Sequence, residues 1–428
     1  MRKTRYKLLA LLAVLAMIVA ACGGDDDGGA TDTTEDSGDT ATTAATTETT
    51  EAMTDTTEAG DDGEMAMPGE GTTITMGRAD WSTGYFQAYV YQQLLQELGY
   101  EVTDPSELEL GPSLAYLGMA QGDFDFWVNS WIPGHLSWLE PELPDGSQVG
   151  DHLTIYGPVP DAAAGFESVF DTNAPGEMIA GGLQGFLVTK DWADEFGVYT
   201  MDDLNNNAEA LADFDANDPV PGNGIADIYG CQESFTCDNI IQNQIAFGNG
   251  EEPWENIQQV IAGYDAMVAE AVAKAENGDP MVIYTWTPSA YITQLIPGET
   301  VYWLGVEAVL DDSNPSGQEG GEAHDQRPGT ANIGEDQCPS AADMGTCQLG
   351  WIAADILVTA NSEFADANPA ADALFEQVQL SVIDVSLANV AQAGGADTNE
   401  AIQGLATDWI ADNRDVVDGW LEAAASAG

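Results

Sequence analysis

Three tryptophans stand at the ends of predicted strands. Trp81 lies just past a strand expected at residues 73–76 and directly before Ser82, which is placed to cap a helix. Trp131 follows a strand expected at residues 124–129, and Trp286 ends one begun at Met281 and precedes Thr287-Pro288. In open α/β sheets, ligands bind at the carboxyl ends of the strands. Rings converging on such a crevice suit a quaternary ammonium, which has no N–H to donate and is held by ring faces instead. Each desolvated face contributes about 1–2 kcal/mol, so three or four approach the ~8 kcal/mol of micromolar binding. Position alone equally allows these rings to pack a core or line a sugar site.

The elements that must position them alternate between strand and helix. Apolar residues Phe86, Val90, Leu94 and Leu98 follow Ser82 at helical spacing, and Gly99 ends that helix. Residues 182–190 read as a strand, with a helix starting at Asp191. Residues 254–276 keep a 3.6 period through Ile257, Val260, Ile261, Tyr264, Met267, Val268, Ala271 and Val272, which predicts one long helix carrying Trp254 as a packing residue. Asn277-Gly278-Asp279-Pro280 stops it, and a buried-type strand follows at residues 281–286. Residues 368–387 and 399–425 read as largely helical, with Trp409 and Trp420 as packing residues. This alternation predicts open, parallel-type sheets with helices on their faces, and no internal repeat is evident.

The composition excludes several functions. The 428 residues allow two domains, and 44% apolar residues suffice for a real core. Nine Lys and Arg stand against 73 Asp and Glu, for a net charge of −64. Such a chain has no basic footprint for nucleic acid or for an anionic lipid surface. The acidity extends through the body after Gly71, spread rather than clustered, and reads as a solvated surface adapted to salt more than as a cation-attracting field. The only histidines are His135, His152 and His324, which limits metal and general-base chemistry. Asp213, Asp215, Asn217, Asp218 and Asp227 faintly suggest a calcium loop but lack its spacing and final glutamate, so neither metal nor cofactor is expected.

The ends point to export. Arg2, Lys3, Arg5 and Lys7 precede an apolar run over residues 8–21, too short to span a bilayer comfortably. Val19-Ala20-Ala21-Cys22 looks like a bacterial lipobox, which would make residues 1–21 a signal and Cys22 the lipidated first residue. Residues 22–72, rich in Thr and acids, are expected to be a disordered tether. Cys231, Cys237, Cys338 and Cys347 then remain in an oxidising compartment. Four cysteines allow three connectivities, and short spacing favours the two local pairs. A metal knot is the alternative, but neither spacing fits one.

The segments ELGYEVTDPSELELG (97–111), GDFDFWVNSWIPGH (122–135), GLQGFLVTKDWADEF (182–196), ADIYGCQESFTCDNIIQNQ (226–244), MVIYTWTPSAY (281–291) and ANPAADALF (367–375) carry a resemblance. Over most of residues 73–428 the body resembles the glycine betaine/proline betaine substrate-binding proteins of ABC importers, of the ProX type. The resemblance implies a type II, periplasmic-binding-protein-like fold with two α/β lobes and a doubly crossed hinge. Lobe 1 would comprise residues 73–178 and 310–428, and lobe 2 residues 179–309. It also implies a site in which Trp131, Trp286 and Phe235 supply box aromatics. His135 and the amides of Thr236 and Cys237, in a cysteine-closed loop, would hold the ligand carboxylate, whose desolvation requires charge-assisted donors. Related choline and betaine binders use a tryptophan before the first helix, which matches Trp81. Two departures bear on the ligand: Phe235 stands where the family has tryptophan, and Thr236 where it often has glycine. The acidic segment 315–347 is longer than the family leads one to expect.

With the lipobox supplying the anchor, the resemblance implies a lipid-anchored, monomeric receptor on the extracytoplasmic face of the membrane, delivering a betaine to a permease with its ATPase. Choline is the runner-up ligand, but it has no carboxylate for His135 and the loop amides. A non-transport receptor using the same cleft is a further alternative. An extracellular enzyme is disfavoured, because neither a G-x-S-x-G elbow nor an H-E-x-x-H motif is present.

Overall fold

The structure, a computed structural model, describes residues 67–157, 178–233, 235–309, 333–351 and 354–428. The signal, Cys22, the tether up to residue 66 and residues 315–332 of the acidic segment 315–347 lie outside the described residues. The part described folds as two α/β lobes, each around its own mixed sheet.

The strands are β1 (Thr73–Ile74), β2 (Met76–Ala79), β3 (Glu101–Val102), β4 (Glu109–Leu110), β5 (Phe126–Ile132), β6 (Leu153–Tyr156), β7 (Ile179–Gly182), β8 (Gln184–Thr189), β9 (Ala226–Tyr229), β10 (Ile257–Val260), β11 (Val282–Trp286), β12 (Val301–Leu304) and β13 (Ala354–Asn361). The first sheet runs β4-β2-β5-β13-β6, with β7 also paired to β13; the second runs β10-β9-β11-β8-β12. A small β1–β3 pair stands beside the first.

The two sheets share a plan that the sequence does not reveal as a repeat. In each, a first strand lies between two parallel neighbours: β2 between β4 and β5, and β9 between β10 and β11. Each then closes with an antiparallel strand, β13 against β5 and β8 against β11. The sheets are therefore mixed rather than parallel, because one strand in each, β13 in the first and β8 in the second, runs against all the others. The carboxyl ends of the first and third strands face the cleft in both lobes, and the candidate residues sit there.

Helices cover the faces where the spacing predicts them. Tyr85–Glu97 buries Phe86, Val90, Leu94 and Leu95, with Leu98 buried at its C-cap. Phe126, Phe375, Tyr91 and Tyr156 form an aromatic knot in lobe 1, and Phe186, Trp351 and Tyr284 form one in lobe 2. Pro369–Gln377, Val382–Ala393, Asn399–Asp412 and Arg414–Ala427 return to lobe 1.

Several expectations are corrected. The predicted helix over residues 254–276 is a strand followed by a helix. Ile257–Val260 pairs in parallel with Ala226–Tyr229, and the helix spans Tyr264–Asn277 with Gly263 as its N-cap. Trp254 lies in the turn before the strand, buried, and donates its indole N–H to Asp202 Oδ1 at 3.2 Å. β5 continues through Trp131, because Ile356 and Asp355 of β13 pair with Trp131 and Ile132. Residues 67–72, expected in the tether, form a turn on the body, with Gly69 N–H on Leu98 O at 2.9 Å. Ile179–Gly182, expected in lobe 2, pairs with β13 of the first sheet.

The chain changes sheet at Leu183, between β7 and β8, and again between β12 and β13. Leu183 exchanges two hydrogen bonds with Thr287, donating its N–H to Oγ1 at 3.2 Å and accepting from the Thr287 N–H at 2.9 Å. Thr287 directly follows Trp286, so one crossing is tied to the end of β11.

Candidate functional site

One cavity between the lobes brings together all seven residues nominated from the sequence: Trp81, Trp131, His135, Phe235, Thr236, Cys237 and Trp286. Inside it, the space open to the centre of a water-sized sphere is about 50 Å³. Trp81, Trp131 and His135 follow or end β2 and β5 in lobe 1. Phe235, Thr236 and Cys237 follow β9, and Trp286 ends β11, in lobe 2.

The indole N–H groups are turned onto protein acceptors. Trp81 and Trp131 both donate to Asn129 Oδ1, at 3.1 and 2.8 Å. Trp286 donates across the cleft to Thr83 Oγ1 at 3.1 Å. Trp286 is backed by Tyr264 at 4.5 Å and Tyr291 at 5.5 Å between ring centroids. Trp81 meets Phe235 of the opposite lobe edge-on at 5.2 Å. With their N–H groups occupied, these rings offer the cavity π-faces and edges rather than donors, the arrangement that suits a cation without N–H groups.

The other end of the site offers donors. Thr236–Phe247 is a helix whose N-cap is Phe235, in extended conformation. The amides of Thr236 and Cys237 are in its first turn, where no intrahelical carbonyl is available to them and anions are stabilised. The Cys231–Cys237 disulfide closes the turn that carries them. Thr236 Oγ1 accepts from the indole N–H of Trp138 in lobe 1 at 2.9 Å, a second indole-to-threonine bond across the cleft.

His135 is 5% exposed and stacks on Trp127 at 6.0 Å. Burial pushes its imidazole down to about 3, so the ring is neutral near pH 7. Nδ1 accepts the Trp131 backbone N–H at 3.1 Å, which leaves the proton on Nε2. His135 is thus a neutral donor through Nε2.

The sequence reading missed Pro112, Gly134, Gln184, Ile240 and Tyr284, which also line the cavity. Tyr284 was within reach, since it stands two residues before Trp286 and strand alternation places both on one face. Gln184 pairs with Trp286 across β8 and β11, and its Oε1 accepts the Tyr284 hydroxyl at 2.7 Å. That pairing is long-range and carries no local signal. Apart from the neutral His135, the lining holds no Asp, Glu, Lys or Arg.

Other expectations resolve plainly. Trp127 is buried behind the site, edge-on to Trp81 at 5.8 Å. Trp409 and Trp420 stack on each other at 6.3 Å, away from the cavity. Cys338 and Cys347 form the second local disulfide. In the acidic loop, Asp215 Oδ1 accepts the N–H groups of Gly222, Asn223 and Gly224, and Asp218 accepts those of Val220 and Asp227. These carboxylates shape the turn.

Comparison with known proteins agrees with this geometry. Residues 72–412 match the family described as the substrate binding domain of the ABC-type glycine betaine transport system. The chain is 28% identical over 362 residues to the glycine betaine-binding periplasmic protein OusX of Dickeya dadantii, covering 84% of this chain and 92% of that protein. It is 28% identical over 363 residues, with the same coverage, to the glycine betaine/proline betaine-binding periplasmic protein of Escherichia coli. The fold is that of lactococcal OpuAC in its closed form with glycine betaine, with a TM-score of 0.52, 14% identity, and coverage of 82% of this chain and 99% of that one. The relatives are binding proteins, which sets the enzyme reading aside. The chain belongs to the family of substrate-binding domains of ABC-type glycine betaine transport systems.

Proposed function

We propose that this chain captures glycine betaine, or a betaine of the same charge pattern, in the cavity between its lobes, and that the seven residues nominated from the sequence are its contacts. The trimethylammonium group lies among Trp81, Trp131 and Trp286, with Phe235 closing the side. The carboxylate lies on the Thr236 and Cys237 amides and the Nε2–H of His135. The observation that carries this reading is the polarity of the cavity: ring faces at one end, a helix N-terminus and a neutral imidazole donor at the other, and no charged lining residue. A zwitterion matches both ends. Choline matches only the first and would leave the donors without a partner.

Two lobes each contributing part of the site make closure ligand-dependent, because only the closed form offers all the contacts. The closed receptor would dock on a permease with its ATPase at the extracytoplasmic face, held there by lipid on Cys22. The lobe boundaries follow the change of sheet at Leu183 and between β12 and β13. No helix among the described residues is long and apolar enough to cross a membrane.

Titration of tryptophan fluorescence with glycine betaine tests this. The expected result is saturable binding that is weakened by Trp286→Ala and by His135→Ala. A preference for choline that is indifferent to His135→Ala would keep the cage and discard the carboxylate clamp. A folded protein that responds to neither ligand would overturn the reading.

A further inference from the structure

Asn129 was not singled out from the sequence, and it is the acceptor that two of the cage indoles share. It lies on β5 between Trp127 and Trp131, and the three share a face of the strand. It is 1% exposed. Its Oδ1 is the single acceptor for two indole N–H groups, from Trp81 on the far side of β2 and from Trp131 two residues along. These donors fix which end of the amide is oxygen. The consequence falls on Nδ2, which is buried and has no hydrogen-bond partner among the described residues. Room for that nitrogen is made by Gly84, where an added Cβ would lie 2.8 Å from Nδ2 and 2.9 Å from Ala79 Cβ.

An unpaired buried donor carries a desolvation cost, and native proteins rarely retain one without reason. On hydrogen-bond count alone, aspartate would serve better here: it is nearly the same shape, accepts from both indoles and leaves no orphan N–H. Leucine would remove the orphan but strand two indoles. What asparagine uniquely supplies is an acceptor without charge. A carboxylate at this position would sit one indole width behind the cage, in a cavity whose lining residues carry no charge. It would attract the ammonium of any ligand and repel a carboxylate at the other end.

We infer that Asn129 is the positioning residue of the cage, setting the planes of Trp81 and Trp131 through one shared oxygen, and that its neutrality sets selectivity for a zwitterionic over a purely cationic quaternary ammonium. This rests on the ligand reading above for its selectivity half only; the positioning half concerns the unliganded protein.

The test uses the full chain and the variants Asn129→Asp and Asn129→Leu. Indole N–H resonances are recorded without ligand, with Trp81→Phe and Trp131→Phe identifying the two signals. Affinities for glycine betaine and choline are then measured by calorimetry at pH 8. In Asn129→Leu, the Trp81 and Trp131 signals are expected to move upfield, and glycine betaine affinity to fall by about tenfold or more. Asn129→Asp is expected to hold both signals close to their original positions and to raise the choline-to-glycine-betaine affinity ratio by about tenfold.

Signals and affinity unchanged in Asn129→Leu would overturn the positioning role, as would Asn129→Asp signals displaced as far as those of Asn129→Leu. An unchanged ratio in Asn129→Asp would overturn the selectivity role. If Asn129→Leu does not fold, the Asn129→Asp signals alone decide the positioning role. If the original chain binds neither ligand, the selectivity half falls with the ligand reading, and the resonances still decide the positioning half.

Discussion

Trp286 donates its indole N–H to Thr83 Oγ1 across the cleft at 3.1 Å, and both residues are buried. The bond joins the end of β11 in lobe 2 to the turn before the first helix of lobe 1. It therefore exists only when the lobes are together. The next residue, Thr287, clamps Leu183 at a crossing between the lobes. Cage, latch and hinge are thus consecutive along one stretch of backbone, so a ligand that seats Trp286 also favours the closed arrangement.

Thr83→Val removes the acceptor while keeping the side-chain shape. A net hydrogen bond of this kind contributes about 0.5–1.5 kcal/mol. Glycine betaine affinity is therefore expected to drop by roughly two- to tenfold in a calorimetric titration. An affinity equal to that of the original chain would show that the latch does not contribute to closure.

Trp81 stands edge-on to Phe235 at 5.2 Å, so it occupies the space a larger ring at position 235 would need. Trp81→Ala is expected to weaken betaine binding by about tenfold, the worth of one desolvated ring face. Phe235→Trp alone is expected to give no gain, and in combination with Trp81→Ala it should recover part of the loss. Additive effects of the two changes would contradict this sharing of space.

His135 sets two pH dependences. Below the ordinary imidazole value of about 6.5, the unfolded chain takes up a proton that the buried, folded ring refuses down to about 3. Its contribution to stability is thus full above about pH 6.5 and is lost as pH falls toward 3. Chemical denaturation of His135→Gln across this window should show a shallower loss than the original chain. Binding should behave differently: a neutral Nε2–H donor predicts glycine betaine affinity that is flat from about pH 6.5 to 9. A rise in affinity on acidification would indicate that the bound ring is an imidazolium, which would require Nδ1 to give up the Trp131 amide.

The Cys231–Cys237 disulfide holds the turn that presents Phe235 and the Thr236 and Cys237 amides. Replacing both cysteines by serine should lower betaine affinity by several-fold, because the donors must then be ordered on binding. Replacing Cys338 and Cys347, which do not line the cavity, should leave affinity unchanged. Equal effects from the two pairs would mean that the disulfides act through overall stability rather than through the site.

Much of the candidate cavity's lining was legible because its residue pattern is local. Trp131 to His135 and Trp286 to Pro288 carry their aromatic, turn and donor residues within a few positions. The helix over residues 254–276 was misread at its start because Ile257, Val260 and Ile261 satisfy helical spacing. Only pairing of β10 with β9, some thirty positions back, makes Ile257–Val260 a strand. Gly263 was the local sign of a break. Trp131 was placed beyond its strand because the partner that extends β5 is β13, over two hundred residues on. Gln184 and Asn129 share that limitation: each matters through a bond to a group whose proximity depends on the fold, Tyr284 for one and Trp81 for the other.

The most direct test is a crystal structure of the chain with glycine betaine. The account expects the trimethylammonium group among Trp81, Trp131 and Trp286. It expects the carboxylate within hydrogen-bond distance of the Thr236 and Cys237 amides and His135 Nε2. A ligand bound in the reverse sense, or one outside the cleft between the two sheets, would contradict it.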